Sequence, residues 1–385
     1  MLSTCQMLAG TGRGLFMVTS PAVALAIAPH LALATMPTAC IVVGNALTAM
    51  PASMLMRRIG RKAGFLVGTI LALAAGAAST ASVLYENFWL LCVGGFCFGV
   101  FAGFAQFYRF AATDVATPAF RAKAISLVLA GGVFAGLAGP NLANWGKEML
   151  ANHLYAGAFL FMIATALLSA LVLMALDIPN LTKEQREGPQ RPLGEIMKQP
   201  VFIAAAVSAT VAQSVMNFLM TATPVAMIAQ CGHSFGAVAA VISWHSVAMF
   251  APGFFTGSLV KRFGEIKIIT TGLLLQALCI VVALSGIEVS DFWISMFLLG
   301  IGWNFTYTAA TSLMTTAYTP AERAKTQGAM NQIIYTVVAI GSLSSGALIH
   351  FLDWDWVNIG AVPFLLVAAA VTFWFATSQR NVASA

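Results

Sequence analysis

The sequence predicts an all-α integral membrane protein of twelve transmembrane helices in two six-helix halves. Three observations carry that: apolar composition, a regular series of apolar stretches, and an internal repeat. Of 385 residues, 59% are hydrophobic and 8% charged, and mean hydropathy is +0.87, whereas soluble domains carry about 25% charged residues. A helix needs about 20 apolar residues to cross a hydrocarbon core of about 30 Å. Such stretches run approximately over 3–28, 33–56, 63–84, 88–110, 123–145, 153–176, 202–229, 235–260, 268–287, 291–314, 327–350 and 356–377. No segment between them is long enough for a soluble catalytic domain, so an enzyme is not expected.

The first stretch lacks a basic start, contains Arg13 and is followed by eleven more, the pattern of a retained helix rather than a cleaved signal. Orientation follows from the basic residues. The segments at 57–62, 109–123, 180–198, 261–267 and 323–325, with Arg380, hold all Lys and Arg except Arg13 and Lys147. Both termini are therefore expected in the cytoplasm. The net charge of +6 follows from that bias and implies no nucleic-acid partner. Cys5, Cys40, Cys92, Cys97, Cys231 and Cys279 are scattered, which does not suggest a disulfide framework. Cys92 and Cys97 do not share a helical face.

The repeat is carried by two pairs of loops. "SMLMRRIGRKAG" after the second span aligns with "GSLVKRFGEIKI" after the eighth, Gly60 on Gly264. "TPAFRAKAIS" after the fourth aligns with "TPAERAKTQG" after the tenth, Pro118 on Pro320. The offsets are nearly equal, so the chain divides into residues 1–176, a polar linker at 177–200, and residues 201–385.

This duplicated arrangement, with basic glycine-containing loops after spans two and eight, resembles the major facilitator superfamily over the whole chain. The resemblance implies halves related by an axis along the membrane normal, with a solute site between them exposed alternately to each side. It also implies gating charges in those loops, here Arg57, Arg58, Arg61, Lys261 and Arg262, with Asp114 at the end of span four as a partner. The family motif would put Asp at Arg57 and Gly at Ser53, where this sequence departs. Span five contains "GGVFAGLAGPNLANW", similar to a Gly-Pro motif of family exporters; Gly132, Gly136, Gly139 and Pro140 are assigned to close helix packing.

Ionisable groups inside a membrane are functional candidates by default, yet no Asp or Glu falls inside a predicted span, Asp291 standing only at the edge of the tenth. Arg13 is the one Lys or Arg away from the end of a span, a candidate for an anionic solute unless the first helix begins later. Two further pairs stand out. Met216 and Met220 share a face of span seven, and His245 and Met249 share a face of span eight, each by i, i+4 spacing. Counted at about 1.5 Å per residue from the outer ends, the pairs lie at matching depths. If the faces meet, they form a two-rung ladder of soft ligands. Thioethers suit Cu(I), and no carboxylate is present to favour hard cations. Methionine is equally a common filler of apolar helices.

"VMNFLMTATPVAM" followed by "WHSVAMFAPGFFTG", with "YRFAATD", "ISLVLAGGV" and "IGWNFTYTAATSL", resembles the CcoA-like branch of the superfamily. That branch implies a monomeric copper importer of the bacterial inner membrane supplying haem-copper oxidase assembly, with Met216, Met220, His245 and Met249 matching its motif and copper as cargo rather than cofactor. On this reading copper passes from the Met220 and His245 rung to Met216 and Met249 as the halves rock. The same branch includes riboflavin importers. A flavin cargo would draw on Gln106, Tyr108, Gln213, Asn217, Trp244, Trp303 and Asn304, aromatics and amides suited to a mostly apolar pocket with a few polar groups. A copper chaperone or assembly scaffold is a third reading, disfavoured by the two halves. "AGTGRG" at 9–14 mimics a nucleotide loop but follows no strand.

Overall fold

The protein's structure, a computed structural model, describes residues 1–108, 111–112, 121–177, 190–319, 322–351 and 353–383. Among these there are helices and turns and no strand, as expected where every backbone polar group must be satisfied inside its own segment. The first half comprises α1 (Leu2–Ile27), α2 (Met36–Ile59), α3 (Arg61–Leu84), α4 (Phe88–Ala105), α5 (Arg121–Gly146) and α6 (Ala156–Met174). A short α7 (Leu193–Met197) lies in the linker. The second half comprises α8 (Pro200–Val225), α9 (Phe235–Phe250), α10 (Gly253–Phe263), α11 (Glu265–Ala283), α12 (Val289–Met314), α13 (Arg323–Phe351) and α14 (Trp354–Ala383).

Among the described residues, 7 helices are long and apolar enough to span a membrane, and the bent pair α9 and α10 makes an eighth span. The helices α1, α5 and α12, of 26 residues each, and α13, of 29 residues, have the length to cross as well at about 1.5 Å per residue. Together they account for twelve spans.

Local sequence sets the ends. Asn87 caps α4 by accepting from the N–H groups of Trp89 and Leu90, Ser234 caps α9 through Ala237, and Glu288 and Asp291 form a reciprocal box at the start of α12, each satisfying N–H groups that a helix start leaves open. Gly60 and Gly264, aligned by the repeat, adopt nearly the same conformation, φ 88° ψ 159° and φ 85° ψ 156°. Glycine tolerates this region and other residues avoid it, so each chain reversal from α2 to α3 and from α10 to α11 is built on the same residue.

The structure agrees with one expectation and corrects another. The first helix begins at Leu2, so Arg13 lies near its middle, as the predicted span had it. The eighth span is not continuous: it breaks after Phe250 and bends by 41°, because Pro252 carries no N–H for the ladder.

In the first half α1 packs on α5 and α6, and α4 on α2 and α3; in the second, α8 packs on α12, α13 and α14, and α11 on α12. The halves meet where α5 packs on α9, α2 on α13, and α1 touches α8 and α9. That seam is where the candidate residues fall.

Candidate functional site

The seam depends on missing side chains. A Cβ on Gly136 would stand 2.6 Å from Cβ of Ser246, and one on Gly132 would stand 2.9 Å from the Phe250 ring. Glycine at both places lets α5 approach α9 across the halves. Gly139 brings α5 onto Gly14 of α1 in the same way.

Beyond Phe250 an aromatic tier leads into the second half. The Phe250 ring meets Trp303 of α12 edge-on at 6.2 Å and 75°, and Trp303 stacks on Tyr307 at 5.1 Å and 13°. The indole Nε1–H donates to Oε1 of Gln213 on α8 (2.8 Å). Trp303 is thus held by a hydrogen bond at its polar edge and by rings on its apolar faces.

A second group lies around His245, which is fully buried. Its Nδ1 donates to the carbonyl of Met296 on α12 (2.6 Å), and its Nε2 has no hydrogen-bond partner. An unsatisfied buried acceptor costs about 1–3 kcal/mol. Met296 also receives, at its sulfur, a hydrogen bond from the Thr223 hydroxyl of α8 (3.3 Å). Arg13 of α1 is in electrostatic range of His245 and of Tyr335 on α13. Among the described residues the ion pairs are Lys147 with Glu148 and Arg191 with Glu322, so Arg13 stands at the seam without a carboxylate.

The four soft ligands are all buried: Met216, Met220, His245 and Met249. The helices that carry them, α8 and α9, are successive in the chain but are not principal packing neighbours; α12 packs on both. Sequence order does not make α8 and α9 the main packing neighbours, and both pairs lie on helices that pack on α12. Among the described residues there is no group of three or more His, Cys, Asp or Glu able to hold a metal.

The other candidates divide. Gln213 and Trp303 meet, as described. Asn304 donates to the Met249 carbonyl (2.6 Å) and accepts from Thr256 (2.7 Å), so it braces the break between α9 and α10. Gln106 donates to Asn45 of α2 within the first half. Tyr108 is buried edge-on against Phe65 at 4.7 Å, inside the first half. Trp244 is exposed and packs on Trp293 at 6.0 Å, away from the tier. Asn217 is buried on α8. Of the loop charges, Arg58, Lys261 and Arg262 are exposed and Arg61 half-buried; Arg262 lies over the Phe263 ring at 5.3 Å. Asp114 and the Arg57 side chain lie outside the described residues.

Sequence reasoning missed Phe250, Met296, Tyr307 and Tyr335. Phe250 directly follows Met249 and Tyr307 is one turn from Trp303, both chosen residues, a signal that was available. A cavity of about 420 Å³ between α8, α13 and α14, walled by Phe202, Val207, Ile333, Val337 and Phe364, is apolar and borders exposed residues such as Phe364 and Val367.

Comparison with known proteins agrees with this architecture. The family model described as Major Facilitator Superfamily matches residues 2–223 and again 205–384. The riboflavin transporter RfnT of Brucella anthropi is 40% identical over 336 residues, covering 87% of this chain and 84% of that protein. Among solved structures, the inward-facing, occupied form of a bacterial homologue of the human lysosomal transporter Spinster superposes with TM-score 0.71 at 17% identity, covering 98% of this chain and 95% of that one. The fucose:proton symporter FucP of E. coli superposes with TM-score 0.64 at 18% identity, covering 98% and 97%. The chain is a multi-pass membrane protein and belongs to the major facilitator superfamily.

Proposed function

We propose that this transporter imports riboflavin or a closely similar planar solute by alternating access. The observation that carries the reading is the 40% identity to a riboflavin transporter over 87% of the chain. The site is in keeping with it. A flavin needs aromatic surface and hydrogen-bonding groups, and the tier of Phe250, Trp303 and Tyr307 with Gln213 offers both beside the seam. Glycines at 132 and 136 let the halves close over such a cargo.

Cuprous copper is the second reading, favoured by one observation: the unpartnered Nε2 of His245, whose Nδ1 is fixed by a carbonyl in the way of a metal-ligating histidine. Two features weigh against it. The Met216/Met220 and His245/Met249 pairs sit on helices whose close packing is with α12 rather than with each other, and Arg13 places a fixed positive charge at the level of His245 across α5 with no ion-pair partner among the described residues. Like charges in a medium of low dielectric repel strongly, so a neutral solute suits the site better than a cation.

The test is uptake in a flavin auxotroph expressing the full chain, with copper accumulation measured in the same cells. Growth at low external riboflavin and uptake of labelled riboflavin are expected, with copper content unchanged. Copper accumulation without flavin uptake would reverse the assignment.

A further inference from the structure

Arg13 and His245 carry complementary unmet hydrogen-bonding capacity on opposite halves. The Met296 carbonyl can only accept, so Nδ1 of His245 carries the proton, and Nε2 of the neutral ring presents a lone pair. That atom is buried and unpartnered. Arg13 presents a fork of donors, and among the described residues no hydrogen bond or ion pair engages it. Helix α5 sets the two at one level of the seam, with Gly139 on Gly14 and Gly136 on Ser246, and α1 touches α9, yet no hydrogen bond joins Arg13 to His245. A buried orphan acceptor on one half and a half-buried guanidinium with no protein partner on the other suit a ligand that offers the opposite pattern to each, because a polar group left unsatisfied in a membrane interior is costly.

We propose that the cargo bridges this pair by an imide or lactam edge, its N–H donating to Nε2 of His245 and the adjacent carbonyl accepting from the Arg13 guanidinium. This rests on the flavin reading, because the isoalloxazine ring carries such an edge, one N–H between two carbonyls. The contact also explains how cargo couples to movement. Arg13 belongs to α1 of one half and His245 to α9 of the other, so a ligand that spans both favours the state in which the halves are close. The aromatic tier then acts on the ring faces and the Arg13–His245 pair reads the ring edge.

The inference is tested on purified full-length protein by quenching of flavin fluorescence, with riboflavin and N3-methylriboflavin as probes. The methyl group removes the N–H and leaves both carbonyls. Wild type is expected to bind the methylated probe about tenfold or more weaker, as sites built to receive an N–H reject analogues without it. His245→Ala is expected to bind both probes equally, and Arg13→Lys to weaken both while keeping the discrimination. The wild-type comparison needs no substitution, so misfolding of a variant leaves it intact. Equal binding of the two probes by wild type overturns the edge contact and leaves flavin transport standing, as does discrimination that survives in His245→Ala. Absence of riboflavin binding in wild type overturns both. Cu(I) binding lost in His245→Ala, with flavin discrimination unchanged, assigns Nε2 to the metal and overturns the contact.

Discussion

Arg191 and Glu322, 131 positions apart, form a two-pronged ion pair that fastens the segment joining the halves to the second half. Oε1 of Glu322 accepts from Nε of Arg191 (2.9 Å) and from its backbone N–H (2.8 Å). Oε2 accepts from Nη2 (2.7 Å) and from the Thr319 N–H (3.0 Å). The carbonyl of Ala317 takes further hydrogen bonds from Arg191 and Gln199, and Lys325 donates to the Arg191 carbonyl. Glu322 is buried under these donors. The repeat places Phe120 at the equivalent position of the first half, so the first copy of the loop carries no carboxylate there.

Glu322→Gln is therefore expected to lower the thermal midpoint of the detergent-solubilised protein by about 3 °C or more. The Arg191 guanidinium, with the Thr319 N–H, holds the Glu322 carboxyl below its ordinary value. A lowered folded value means that the contribution is complete above the unfolded value of about 4.3 and is lost as pH falls through the folded value. Wild type and Glu322→Gln should thus differ at pH 7 and converge in strong acid. A constant difference down to acid pH would show that the ion pair is not its source.

The reversal at Gly264 tests the repeat at the level of backbone. A Cβ there would meet nothing within 4 Å, yet φ is +85°. Gly264→Ala is accordingly expected to cost about 1–3 kcal/mol through conformation alone. Gly257→Ala, which also meets open space but lies inside a helix, should be neutral or mildly stabilising. Unfolding midpoints of the two variants, side by side, check the contrast.

The brace at the α9–α10 break should be costly to remove. Asn304→Ala leaves the Met249 carbonyl and the Thr256 hydroxyl without their side-chain partner, and a loss of about 1–3 kcal/mol is expected. Thr256→Val removes one of the same contacts, so the double variant should fall short of the sum of the singles. Strict additivity would show the brace to be two independent bonds.

Closure of the seam is expected to fail when Gly136 is enlarged. Gly136→Val meets the Cβ and backbone of Ser246 and Val247, and uptake should drop at least about tenfold at equal protein level because α5 can no longer approach α9. Gly194→Val, at a position with open space in α7, should leave uptake unchanged. Normal uptake by Gly136→Val would remove close packing at this point from the transport cycle.

The fold was legible because its determinants are local or periodic. Apolar stretches marked the spans, the basic loops marked alternate connections, and Gly60 and Gly264 could be aligned before their matching φ values were known. The break in the eighth span was also written in the sequence, as Pro252 beside Gly253, but the apolar run concealed it. Packing partners were less legible. The depth-matched methionine and histidine pairs suggested α8 and α9 as close neighbours, yet both pack chiefly on other helices, α12 among them, because neighbours in a bundle are chosen by side-chain fit rather than by chain order. Gln106 and Tyr108 were chosen by residue type alone, and their partners, Asn45 and Phe65, lie too far along the chain to be read from it. The orphaned Nε2 of His245 could not be read at all, because it depends on a carbonyl 51 positions away.

The most direct measurement of the central claim is saturable riboflavin binding by the purified protein, followed by quenching of flavin fluorescence. A saturable quench in wild type is predicted, weakened at least about tenfold by Trp303→Ala through loss of the ring surface and unaffected by added Cu(I). No saturable quench, or a quench that Cu(I) abolishes by competition, would contradict it.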